Sequence, residues 1–212
     1  KTDSGLTITG VYDIDADAST IDESWMSVSG GFGTIKLGKD VGANDDFGIG
    51  EHDLIAEDLS VVQTSASIVT NAGESGAADT TKINYTTPAM GGFRAGYSIY
   101  DSGTADAATD QIAMGAEYTM PIGGGTMMLR YNKQTTDGTT TTETQASNYG
   151  VKVTMGAASF IAAHGESTIG SGTGQTDDRK ADGVAISYNL GGGMSVAAST
   201  LKAEDDKDIS GT

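Results

Sequence analysis

The chain has 212 residues, a net charge of -17 and no cysteine. An acidic chain without clustered lysine and arginine is a poor partner for the phosphates of nucleic acids, and the lack of cysteine excludes both a disulfide scaffold and a thiolate zinc site. Hydrophobic residues make up only 37% of the sequence while 31 residues are glycine, so an ordinary two-sided core would be poorly filled.

No run reaches the roughly 18 consecutive apolar residues of a membrane helix. The N-terminal residues instead alternate, with Leu6, Ile8 and Tyr12 on one face of a predicted strand. A hairpin should follow, pairing roughly residues 22 to 30 with residues 33 to 39. Glycine supplies the positive φ that a tight turn requires, and the turn of this hairpin has the sequence GGFG.

Four further hairpins share this design, in which two runs of period-2 alternation flank a short turn that contains glycine. In one of them Ile112, Met114 and Tyr118 alternate with smaller or more polar residues. The predicted turns of the four are Pro88–Gly92, Met120–Gly125, Gly156–Ala158 and Gly191–Gly193.

Long polar connections separate the hairpins, at residues 101–109, 135–146 and 167–181. Short turns alternating with long loops are typical of outer-membrane barrels, and the roughly 11 strands are each near the roughly 9 to 11 residues that cross a bilayer. The sequence predicts an all-β fold, a transmembrane antiparallel β-barrel in one domain over residues 1–212. Because such a barrel cannot leave open edges in lipid, we expect a fragment of a 16-stranded barrel without its first and last strands.

Two stretches resemble the general porins of Gram-negative outer membranes: DESWMSVSGGFGTIKLGKD from Asp22 to Asp40 and INYTTPAMGGFRAGYSIYD from Ile83 to Asp101. The resemblance implies a 16-stranded, usually trimeric barrel in the bacterial outer membrane that passes small hydrophilic solutes and ions by diffusion. It also implies that residues 40–80 form a constriction loop. Lipid and lipopolysaccharide are then the expected surroundings.

The candidate site combines an acidic loop with basic strands. A transverse field from carboxylates on one side of a channel and cations on the other would orient dipolar solutes and tune ion preference. The acidic candidates for the constriction are Asp45, Asp46, Glu51, Asp53, Glu57 and Asp58. The basic candidates fall on the strand face opposite the apolar one and are Lys36, Lys82, Arg94, Arg130 and Lys152.

Simpler interpretations stay open. The loop could be acidic for solubility alone, and the scattered cations could each be solvated. A secreted or surface-displayed β-rich adhesion or structural protein, with acidic loops that bind calcium, is the alternative function. No motif of an enzyme occurs, so we expect neither catalysis nor a cofactor, and only adventitious calcium.

Overall fold

A single antiparallel sheet makes up the computed structural model, which describes residues 5–15, 20–50, 54, 81–100, 110–136, 144–170 and 176–207. The eleven strands lie in the sheet in the order of the sequence, so each hydrogen-bonds to its sequence neighbours. The predicted all-β meander of about eleven strands is confirmed. The strands are β1 (Thr7–Asp15), β2 (Thr20–Gly30), β3 (Gly33–Lys39), β4 (Thr81–Thr86), β5 (Phe93–Tyr100), β6 (Gln111–Ile122), β7 (Gly125–Thr136), β8 (Thr144–Met155), β9 (Ala158–Gly170), β10 (Thr176–Gly191) and β11 (Met194–Lys207).

Tight turns close the hairpins at one end of the sheet, and one of them is narrower than predicted. Gly123 and Gly124 have φ of 44° and 91°, the left-handed conformation that a two-residue hairpin turn demands. The predicted turn Met120–Gly125 is therefore too wide, because Pro121 still pairs with Thr126 in the ladder between β6 and β7. Proline cannot donate to a ladder, and its place beside the turn limits that loss to the strand end.

At the opposite end of the sheet, strands extend further into the predicted long loops than expected. The strands are 6 to 16 residues long. The predicted loop 167–181 is too wide, because β9 reaches Gly170 and β10 begins at Thr176. Lys180 pairs in register with Glu166 of β9. Because opposite charges on neighbouring strands support a ladder that water surrounds, the hairpin continues beyond its apolar part.

Apolar side chains lie on the outer face of the sheet and polar ones on the inner face. In β6, Ile112 and Met114 are 43% and 44% exposed, whereas Gln111 and Ala113 are buried. A soluble protein buries the reverse set, so this distribution requires lipid outside and a polar interior, as in the predicted transmembrane barrel. The buried polar side chains of the inner face include Asn84, Ser98, Gln111, Asn132, Gln134, Asn148 and Ser167.

The segment after β3 runs along the inner face of the sheet. It holds a short helix, α1 (Ala43–Asp46), which packs against β4, β5, β6 and β7. Further along, Ile49 is fully buried against Ile161 and Ala163 of β9. The segment therefore crosses the inner wall from β4 toward β9. In the described part of the chain, no helix has the length and apolar character to cross a membrane.

Candidate functional site

Residues 40–50 enter the interior directly after β3 and take their hydrogen bonds from the inner wall. The side-chain amide of Asn84 donates to the Val41 carbonyl oxygen at 2.8 Å. The Ser98 hydroxyl oxygen accepts from the Ala43 N–H, also at 2.8 Å. Because buried backbone groups need partners, these polar wall side chains replace the neighbouring strand that the segment lacks.

Two lysines hold the start of this segment at Asp40. Lys36 forms an ion pair with the Asp40 carboxylate, and its ammonium lies 4.6 Å from the centroid of the Trp25 ring. Lys82 is only 4% exposed, and its Nζ donates to the Asp40 carbonyl oxygen at 2.7 Å. A buried charge is tolerated when it is paired in this way, so both lysines stabilise the entry of the segment.

Phe47 fills the contact between α1 and the wall and is fully buried. A Cβ atom added at Gly96 or Gly115 would lie 2.5 Å from an atom of Phe47, so both positions must lack a side chain. The Arg94 guanidinium carbon lies 5.0 Å from the centroid of the Phe47 ring, within the range of a cation–π interaction. The aromatic ring thus sits in a shallow depression of β5 and β6 under a cation.

Asn148 of β8 binds both backbone groups of Ile49, as a neighbouring strand would. Its Oδ1 accepts the Ile49 N–H at 3.0 Å, and its Nδ2 donates to the Ile49 carbonyl oxygen at 2.9 Å. On β7, the Nδ2 of Asn132 is 3.4 Å from the Phe47 carbonyl oxygen. Two wall amides therefore fix the path of the segment after α1.

An ion-pair network lies beneath the same stretch. Arg130 donates from Nε to a Glu117 carboxylate oxygen at 2.8 Å, and from Nη1 to the Gly48 carbonyl oxygen at 2.8 Å. Arg94 approaches the same Glu117 oxygen at 3.5 Å. Glu117 therefore orients two arginines, one of which holds the segment directly.

Two of the six predicted acids fall in described residues. Asp45 and Asp46 belong to α1 and are exposed toward the interior. Glu51, Asp53, Glu57 and Asp58 lie outside the described residues.

Protein surrounds Asp46 closely enough to alter its ionisation, although its side chain reaches the interior space. The resulting desolvation raises its pKa above the ordinary 3.8. The Asp40 carboxylate acts in the same direction, while the positive charges of Lys36, Arg94 and Arg130 only partly offset the effect.

All five predicted cations lie on the inner face, but four of them contact the loop or its base instead of facing it across the interior. The reason is that the loop crosses the same wall that carries these cations. Four of the six predicted acids lie outside the described residues, so the expected arrangement of carboxylates on one side and cations on the other stays a prediction. Lys152 alone among the five has no ion-pair or hydrogen-bond partner in the described residues.

Sequence reasoning missed the residues that fix the segment without carrying charge. These are the wall amides and the two glycines under Phe47. Their only sequence signal is that small or amide residues recur on the inner face of adjacent strands, as in Gly96, Gly115, Asn132 and Asn148, which lie in one row across β5 to β8. The row becomes visible only when the strand register is known.

Comparison with protein families gives one match, in which the family model for Gram-negative porins covers residues 1–212. A search of curated proteins by sequence finds no match. Solved structures of outer-membrane proteins are similar at low identity. OmpT of Vibrio cholerae expressed in the outer membrane has a TM-score of 0.72 and 13% identity over 98% of this chain and 66% of that chain.

An anion-selective porin from Comamonas acidovorans has a TM-score of 0.65 and 20% identity, over 97% of this chain and 65% of that chain. For a mutant of the Rh. blastica porin the TM-score is 0.58 and the identity 15%, over 97% of this chain and 84% of that chain. These identities support the fold alone, and the chain spans only part of each structure. The family match decides between the two functions considered for the sequence. The chain belongs to the Gram-negative porins and forms part of a channel barrel in the bacterial outer membrane.

Proposed function

We propose that this barrel passes small hydrophilic solutes and ions by passive diffusion, and that residues 40–80 narrow its lumen. The observation that supports the proposal most directly is the course of residues 40–50, which are pinned to the inner wall by side chains of β3 to β8. A segment held in this way occupies cross-section that an empty barrel would leave to solutes. Diffusion requires neither catalysis nor a cofactor, so we propose no enzymatic role and regard any calcium on the acidic loops as adventitious.

The acidic candidates Asp45, Asp46, Glu51, Asp53, Glu57 and Asp58 are proposed to set the ion preference of the constriction. Two of them, on α1, are exposed toward the lumen where solutes pass. Rings or clusters of carboxylates favour cations in a narrow pore. The cations Lys36, Lys82, Arg94 and Arg130 are proposed to act mainly as anchors of the loop, since each already contacts it.

A homotrimer in contact with lipid and lipopolysaccharide is the proposed assembly. One structure of Vibrio cholerae OmpT with a similar fold is described as a trimer form. On the outer face of this chain, apolar side chains give way to charged ones such as Lys180 and Glu204 near the long loops. Charges at that level would meet the polar headgroups of the outer leaflet, as the apolar band meets acyl chains.

Planar bilayer recording of the purified protein tests the proposed function. We expect stepwise conductance increments that grow in proportion to salt concentration, in groups of three if the assembly is trimeric. Folded oligomers that insert into the bilayer without conducting would contradict the proposal. Conductance in steps of one would contradict only the trimer.

A further inference from the structure

A recess of about 430 Å³ lies in the inner wall between the loop segment and the short turns. It is lined by Thr119, Thr126, Met128, Arg130, Lys152 and Thr154. Thr126 and Thr154 lie close to the turn ends of β7 and β8, while Arg130 contacts the loop above them. The recess therefore lies directly beyond the constriction on the path through the barrel.

The recess is positively charged in a chain whose net charge is -17. Two of its lining residues, Arg130 and Lys152, are cations and none is acidic, and Arg130 is paired with the Glu117 carboxylate. The Lys152 ammonium has no ion-pair or hydrogen-bond partner among the described residues, and an ammonium carries three N–H donors that can bind oxygen atoms of a solute.

Hydroxyl groups complete the lining. Thr119, Thr126 and Thr154 bring three hydroxyls to the recess, and Thr154 lies 3.2 Å from the Ser159 hydroxyl. A hydroxyl donates one hydrogen bond and rotates to suit its partner, so these groups can supplement an ammonium in binding oxygen atoms. Lysine is a common binder of phosphate, as a point charge with three donors.

We infer that this recess is a subsite for small oxyanions, such as the phosphate group of a solute, with Lys152 as the principal contact. The inference rests on the proposed channel function and adds a solute class to it. An anion that has passed the acidic constriction would pause at Lys152, where the charge and the hydroxyls compensate for the water it gives up. The site should be weak, because a channel must release what it binds.

Inorganic phosphate is the probe, added to planar bilayers at fixed potassium chloride concentration and pH. We expect chloride current through the wild-type channel to fall with phosphate in a saturable manner. Lys152→Gln should raise the half-effect concentration about tenfold, since a charge-assisted hydrogen bond is lost. Lys152→Arg should retain most of the effect. Lys133→Gln is the matched control on the outer face of β7 and should behave as wild type.

The outcomes separate the subsite from the channel function. Wild-type channels that conduct but show no saturable phosphate effect would overturn the subsite, as would a Lys152→Gln channel with unchanged phosphate dependence. Failure of the wild type to conduct at all would overturn the proposed function instead. If Lys152→Gln does not fold, Thr154→Val provides the second variant, with an expected rise of about threefold for one lost neutral hydrogen bond. No rise in that variant would equally overturn the subsite.

Discussion

A single asparagine forms the backbone hydrogen bonds that a neighbouring strand would otherwise form with the segment that crosses the lumen. Asn148 satisfies the N–H and the carbonyl oxygen of Ile49, 99 residues away in sequence. Because the amide carries both an acceptor and donors, one side chain can pair with a backbone unit that would otherwise be buried without partners. Individual residues of the wall therefore determine where the loop lies.

Replacing Asn148 with leucine should loosen the segment without unfolding the barrel. The change leaves buried backbone groups of Ile49 unsatisfied, at about 1–3 kcal/mol for each group. Single-channel recordings should show larger current fluctuations than wild type. Ser147→Ala is the control. Ser147 lies next to Asn148 on the outer face of β8, and the change removes its hydrogen bond to Glu166 of β9. Equal fluctuations in both variants would contradict the role of Asn148.

Asp46 should make ion preference depend on pH. Its pKa is raised, chiefly by desolvation, so on acidification it takes up a proton at a higher pH than an ordinary aspartate with a pKa of 3.8. The lumen then loses a negative charge, and cation preference should decrease as the pH falls through that range. Reversal potentials in a salt gradient measure the change.

Asp46→Asn should remove this pH-dependent step, because the neutral amide cannot titrate. Asp45→Asn lowers the charge of the same helix and should leave the step in place. A pH profile that is identical in wild type and Asp46→Asn would show that another group titrates in the constriction.

The short helix α1 depends on the strands beneath it. It has four residues and no side-chain cap at its N-terminus, so isolated helix formation is unfavourable. Its position comes from Phe47, which rests on Gly96 and Gly115. The strands β5 and β6 therefore determine where the helix lies.

Gly115→Val should displace α1 from the wall. The new Cβ would lie 2.5 Å from Phe47, and such overpacking costs about 1–3 kcal/mol. The loop should move away from the wall while the hydrogen bonds between the strands remain. Conductance should therefore change, and the heat resistance of the barrel should stay close to that of wild type. Phe47→Ala in the Gly115→Val background should restore space and reverse much of the displacement.

Gly10→Ala is the matched control for the glycine substitution, since nothing lies within 4 Å of a Cβ atom at this outer-face position of β1. Its conductance should equal that of wild type. A Gly115→Val channel that is also indistinguishable from wild type would contradict the contact between Phe47 and the glycines.

The alternation of residues predicts the strand faces because side chains in a strand have a period of two, so each inner or outer position follows from the sequence. The inner position of Arg130 was predictable on this basis. Its partner was not, because Gly48 lies 82 residues away and the contact depends on where the loop crosses the wall. The turn between β6 and β7 was predicted too wide, because the ladder continues past Pro121 as far as the two glycines with positive φ, Gly123 and Gly124.

In the whole molecule, the outer face of the sheet contacts lipid, so a charge placed there should destabilise the barrel. Leu129 of β7 is 41% exposed there and pairs with Tyr118 and Val151 on the same face. Leu129→Lys should destabilise the folded barrel in lipid vesicles by about 2–4 kcal/mol if the site is near the bilayer midplane. Urea unfolding from vesicles measures this free energy.

Thr168→Lys is the control for that substitution, because Thr168 lies on the outer face near the long-loop end of β9. A charge at the interface costs about 0–1 kcal/mol. Equal destabilisation by the two lysines would mean that depth in the bilayer does not matter, in conflict with a lipid-facing outer surface.

Accessibility to a thiol reagent tests the central claim, that the segment after β3 lies in a conducting lumen. The chain has no cysteine, so one introduced thiol reacts alone. With Asp46→Cys in a planar bilayer, a charged methanethiosulfonate reagent should reduce the current step by step. With Leu129→Cys, on the outer face, the current should not change. An Asp46→Cys channel whose current is unaffected by the reagent, or equal loss in both variants, would contradict the account.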